Sequence, residues 1–104
     1  MDVQEKIRSQ VTANPVVLYM KGSPQFPQCG FSSVAAQILK ACGVQNYVAV
    51  DVLADPEIRE GIKSYANWPT IPQLYINGDF VGGADIMREL YQSGELQKML
   101  PQAA

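Results

Sequence analysis

The sequence predicts an α/β fold, a mixed four-stranded sheet flanked by helices. Three observations carry that expectation. Val16-Val17-Leu18-Tyr19-Met20 is apolar without alternation, as in a strand buried on both faces. Stretches with helical apolar spacing lie before it, after it and in mid-chain. Asn77-Gly78, set between Leu74-Tyr75-Ile76 and Phe80-Val81, is a strong β-hairpin signal.

The elements follow in order. Val3, Ile7 and Val11 recur at every fourth residue, giving an amphipathic helix that Asn14-Pro15 ends. The strand at 16–20 comes next. Lys21 to Gln28 holds Gly22, Pro24 and Pro27 and reads as a loop. From Cys29 the pattern turns helical, with Val34, Ile38 and Cys42 on one line, Ala35 and Leu39 beside it, and Gly43 placed to cap the end. Tyr47 to Val52 is a second strand, parallel to the first because a helix separates them. Asp55-Pro56-Glu57 opens a helix that turns Ile58 and Ile62 inward. Ala66 to Pro72 is irregular and contains two X-Pro bonds. After the hairpin, Gly82-Gly83 closes the strand, a helix runs from Asp85 through Leu90, and Gly94 breaks it before a last short helical stretch. This order, α-β-α-β-α-β-β-α, matches a thioredoxin-like architecture.

Composition narrows the function. A chain of 104 residues fits one domain, residues 1–104. Its 47% hydrophobic and 17% charged residues are ordinary for a globular protein. A net charge of −2 with both signs scattered leaves no footprint for nucleic acid or an anionic membrane. No apolar run approaches the ~18 residues of a membrane span. The stretch Met1-Asp2-Val3-Gln4-Glu5 is unlike a targeting leader, and two cysteines are too few for a secreted disulfide framework, so the expected location is cytoplasmic. There is no histidine, which excludes Cys–His and Ser–His–Asp nucleophiles and imidazole zinc sites.

The two cysteines read differently. Cys29 sits where a loop meets a helix start, so its thiolate faces unpaired N–H groups and the positive end of the helix dipole. Lys21 across the loop adds positive charge. Cys42 lies on the apolar line at the helix's C-terminal end, where core packing is favoured over a thiolate. Thirteen residues of helix separate them by roughly 20 Å, at ~1.5 Å per residue. A disulfide needs Cα atoms within about 7 Å, so the pair cannot close or share a metal centre. Ser32 at position +3 also blocks a Cys-x-x-Cys mechanism. Cys29 must find its second thiol outside the chain.

Cys29-Gly30-Phe31-Ser32 is the active-site tetrapeptide of the monothiol glutaredoxins. Tyr19-Met20-Lys21-Gly22 precedes it; Trp68-Pro69-Thr70-Ile71-Pro72 and Gly82-Gly83-Ala84-Asp85 follow in family order and spacing. Over essentially its whole length the chain resembles a single-domain bacterial monothiol glutaredoxin. The resemblance implies glutathione bound beside Cys29. Lys21 and Arg59 would pair with its glycyl carboxylate, although Arg59 read alone suits a solvated helix face equally. Thr70-Ile71-Pro72 resembles a loop with a cis-proline, in which the Ile71 backbone pairs with the cysteinyl part like an added strand. The residues alone describe only a proline-rich connector, with the isomer of Pro72 open. Trp68 suits either the core edge or ligand contact. Ala84 and Asp85 open the last helix, where N–H groups suit the γ-glutamyl carboxylate and Asp85 suits its ammonium or caps the helix. Many relatives carry cysteine at the position of Ala84, so a disulfide route open to them is missing here.

The resemblance further implies a carrier of [2Fe–2S] clusters. Such a cluster takes four thiolates in its common form. Cys29 of two subunits and two glutathiones would supply them, making a homodimer when cluster-bound. Apo iron–sulfur proteins would be the recipients, and a BolA-like partner would replace one subunit. Two other functions fit: a glutathione-dependent oxidoreductase in which Cys29 removes glutathione from mixed disulfides, and an iron-responsive adaptor acting through the partner.

Overall fold

In the computed structural model, which describes residues 2–101, the apolar run forms β1 (Val16–Met20) with every side chain buried. It is an inner strand of a sheet ordered β2-β1-β3-β4. β2 (Val48–Asp51) runs parallel to it, with Val17 opposite Val48. β3 (Gln73–Ile76) runs antiparallel, with Tyr19 opposite Gln73, and β4 (Asp79–Gly82) pairs antiparallel to β3. The mixed sheet is as expected. Asn77 and Gly78 both have positive φ, 51° and 86°, which is the tight hairpin turn that their residue types favour.

Strand side chains alternate between faces, so β1 serves two cores. Val16, Leu18 and Met20 pack with Ala35 and Leu39 of α2 (Gly30–Ala41), Met87 of α4 (Ala84–Ser93) and Leu96 of α5 (Glu95–Met99). Val17 and Tyr19 pack with Ile7 and Val11 of α1 (Val3–Ala13) and with Ile58 and Ile62 of α3 (Pro56–Ala66). Burial on both faces explains the unbroken apolar run. Truncating fully buried Leu18 to alanine would cost about 2–5 kcal/mol.

Side chains start three of the helices. Asp2 accepts the Glu5 N–H at 2.9 Å for α1, and Asp55 accepts the Ile58 N–H at 3.2 Å for α3. Cys29 itself caps α2. By contrast α4 begins after Gly83, which has no side chain to offer.

Several boundaries differ from the sequence reading. β2 spans Val48–Asp51 rather than Tyr47–Val52, because beyond Asp51 the chain turns. The Asp51 carboxylate accepts the Gly22 N–H at 3.0 Å and the Leu53 N–H at 2.9 Å. Ala66 belongs to α3, which ends where Asn67 adopts a left-handed conformation at φ 51°. α4 starts at Ala84, one residue before the expected Asp85. Cys42 is the C-cap of α2, half-buried against the core. The tail of the 1–104 span beyond Pro101, and Met1, lie outside the described residues.

Candidate functional site

The site grows from the carboxyl end of β1. The Lys21–Gln28 loop closes on itself: the Gln28 N–H donates to the Lys21 carbonyl at 2.8 Å, and Ser23 and Phe26 exchange backbone bonds at 3.1 and 3.2 Å. Gly22 makes that closure feasible. Its φ is +86°, and a Cβ there would strike the Phe26 carbonyl oxygen and lie 2.8 Å from the Gln28 nitrogen. The closed loop delivers Cys29 to the start of α2.

At that start the Cys29 sulfur accepts the Ser32 N–H at 3.3 Å, one of the orphan donors of the first helical turn. The Ser32 hydroxyl lies 3.3 Å from the sulfur and accepts the Lys21 N–H at 3.0 Å. Partial burial pushes the Cys29 thiol up. The Ser32 hydroxyl, the Ser32 and Phe31 N–H groups and the Lys21 charge together outweigh it, leaving the thiol below the ordinary cysteine value. Burial pushes Cys42 in the opposite direction with nothing to offset it. Both cysteines are free, at opposite ends of one helix. The flanking rings are open to solvent, Phe26 by 75% and Phe31 by 63%.

Beside Cys29 lies a cavity of about 420 Å³. It gathers Lys21, Arg59, Ile71, Ala84 and Asp85, all the residues that the family resemblance assigned to a bound tripeptide. Cys29 is not part of the lining; it connects to the cavity through Lys21 and the first turn of α2. Arg59 is not on a merely solvated face. It is half-buried, and its Nε is buried with no hydrogen-bond partner among the described residues. Trp68 packs on Phe80 at 5.7 Å between ring centroids and also lines the cavity. The Ile71–Pro72 peptide bond is cis.

Some lining residues were missed. Lys63 joins Lys21 and Arg59 as a third cation; it lies one turn beyond Arg59 on α3, a spacing that puts both on one helix face. Gly83 also lines the cavity, and a Cβ on it would sit 3.2 Å from the Pro72 carbonyl oxygen. Across from the cations, α4 presents its first N–H groups uncapped by any side chain. Cations on one side and a helix N-terminus on the other suit a ligand with separated anionic groups. Among the described residues no group of three histidine, cysteine, aspartate or glutamate side chains is arranged to hold a metal. Among the described residues no helix is long and apolar enough to cross a membrane either.

Sheet order, helical layers and a single low-pKa cysteine at a helix start define a thioredoxin-fold thiol protein. The profile of the glutaredoxin family matches residues 16–81. A ycf64-like monothiol glutaredoxin of Synechocystis is 59% identical, with 95% of this chain and 92% of that protein covered. Glutaredoxin 4 of Escherichia coli is 53% identical over 96% of this chain and 86% of its own. The solution structure of poplar GrxS14, reduced and apo, superposes with a TM-score of 0.78 at 48% identity, covering 92% of this chain and 87% of the other. The chain belongs to the glutaredoxin family, in its monothiol branch.

Proposed function

We propose that this protein binds glutathione and carries [2Fe–2S] clusters as cargo, each cluster bridged by Cys29 of two subunits and two glutathiones. One observation carries the reading: Cys29 is the sole thiol with a depressed pKa among the described residues, and Cys42 lies at the far end of the same helix. A centre needing four thiolates must then draw three from outside the chain, and the resemblance to monothiol glutaredoxins implies one from a second subunit and two from glutathione. The open Phe26 and Phe31 rings beside Cys29 are consistent with a facing subunit.

Glutathione carries two carboxylates, an ammonium group and a central amide backbone. In the proposed pose Lys21 and Arg59 hold the glycyl carboxylate, with Lys63 nearby. The Ile71 backbone takes the cysteinyl segment as a strand edge would. The N–H groups of Ala84 and Asp85 take the γ-glutamyl carboxylate, and the Asp85 carboxylate takes the ammonium group. The thiol of the tripeptide is thereby set beside Cys29. With half of the ligands exchangeable, the cluster passes on readily to apo iron–sulfur proteins.

Anaerobic reconstitution with iron, sulfide and glutathione tests this. The expected product is a coloured dimer whose colour needs glutathione, is abolished in Cys29→Ser and survives in Cys42→Ser. A colourless monomer from the native chain would sink the carrier reading. We extend the proposal to residues 1–104 as one glutaredoxin domain, to a cytoplasmic setting, and to a BolA-like partner that replaces one subunit.

The depressed Cys29 thiol also favours a second reading, reduction of glutathione mixed disulfides. The Cys29 thiolate attacks the glutathione sulfur, the substrate thiolate leaves and takes a proton, and a second glutathione then releases glutathione disulfide and regenerates Cys29. Turnover of a glutathionylated substrate at the rate of a dithiol glutaredoxin would promote this reading; negligible turnover would remove it.

A further inference from the structure

Gln73 is a glutamine with no solvent exposure, at the first position of β3 on a sheet face otherwise given to aromatic and aliphatic packing. Two-residue spacing puts it on the same face as Tyr75. Its Nε2 donates to the Trp68 carbonyl at 3.1 Å and to the Thr70 carbonyl at 3.2 Å. Its Oε1 accepts the Tyr75 hydroxyl at 2.9 Å. The orientation of the amide follows from chemistry, since carbonyls only accept and the nitrogen must face them.

The two residues that carry those carbonyls, Trp68 and Thr70, both line the cavity. Among the described residues, 69–71 make no backbone–backbone hydrogen bond, so this stretch has no ladder of its own. Ile71 follows directly; it is buried in the core on the α1 and α3 side and also lines the cavity. We propose that Gln73 is a positioning residue for the bound thiol peptide: its buried amide ties down the Trp68 and Thr70 carbonyls so that the Ile71 backbone stands ready as a strand edge. A leucine would bury as well but would hold nothing. This inference rests on the glutathione reading above and deepens it.

The test is a glutathione titration of the native chain, Gln73→Met and Tyr75→Phe, followed through the backbone amide signals of Ile71 and Asp85. In the native chain both signals shift. Gln73→Met is expected to weaken binding by about tenfold, on the scale of losing hydrogen bonds to a buried amide. It loses the Ile71 response and keeps the Asp85 response, because α4 is untouched. Tyr75→Phe removes only the bond that orients the amide and is expected to weaken binding by about threefold; it supplies the answer should Gln73→Met not fold. Native-like affinity with a native-like Ile71 response in the folded variants overturns the role of Gln73 alone. No response to glutathione in the native chain overturns the ligand reading itself, and this inference with it.

Discussion

The Ser32 hydroxyl oxygen stands 3.3 Å from the Cys29 sulfur while accepting the Lys21 N–H at 3.0 Å. Ser32 is fully buried. With one lone pair engaged by Lys21, its own proton is free to turn toward a thiolate. The position where a dithiol protein would carry its second sulfur therefore holds a hydrogen-bond donor for the first.

Ser32→Ala removes that donor and leaves the backbone N–H in place. The midpoint of the Cys29 alkylation profile is expected to move to higher pH. The sign follows from the thiolate being the reactive form: below the native midpoint the variant reacts roughly threefold to tenfold more slowly, and well above the ordinary cysteine value of about 8.5 the two converge. Iodoacetamide kinetics on Cys42→Ser and on Cys42→Ser/Ser32→Ala measure it. Superimposable profiles would show that the hydroxyl contributes nothing.

Arg59, which lines the cavity, has a buried Nε without a hydrogen-bond partner among the described residues. A buried donor without a partner costs about 1–3 kcal/mol. Arg59→Met is therefore expected to raise the ligand-free melting temperature by a few degrees, or about 1 kcal/mol, while glutathione binding weakens by about tenfold. Melting curves with and without glutathione separate the two effects. A ligand-free variant less stable than the native chain would contradict the first.

Gly83 adopts φ −92° and ψ −164°, a conformation open to any residue, so alanine there is not strained by the backbone. The added methyl would lie 3.2 Å from the Pro72 carbonyl oxygen and 3.6 Å from the Trp68 Nε1. Gly83→Ala is expected to keep the fold, within about 1 kcal/mol of native stability, and to weaken glutathione binding by roughly fivefold as the wall shifts inward. Calorimetric titration decides it; unchanged affinity would mean that the wall does not touch the ligand.

Burial, first, and the neighbouring tyrosines push the Tyr19 and Tyr75 hydroxyls far above their ordinary value. In the folded chain both stay protonated where the unfolded chain ionises, so the folded state binds more protons and stability falls as pH rises past about 10. Phenolate absorbance from these residues should appear together with loss of helical circular dichroism rather than before it. Tyr19→Phe, which gives up a 2.7 Å bond to the Gln10 side chain, should lessen the dependence of stability on alkaline pH. Early, independent ionisation in the native chain would refute this.

Much of this protein is local and therefore legible in its residues. The β1 run, the cap at Asp55, the Asn77-Gly78 turn and the placement of Cys29 at a helix start depend on neighbours within a few positions, where steric and hydrogen-bonding preferences act directly. Opposite ends of one helix also keep Cys29 and Cys42 apart whatever the rest of the chain does.

Tertiary structure alone decided the rest. Packing brought Lys63 to the same cavity as Lys21, left the Arg59 Nε without a partner among the described residues, and set the Gln73 amide against the Trp68 and Thr70 carbonyls. It also selected the cis form at Pro72, which the local sequence left open. These features join segments distant in the chain, and no local preference specifies which polar groups will meet once helices close over both faces of a sheet.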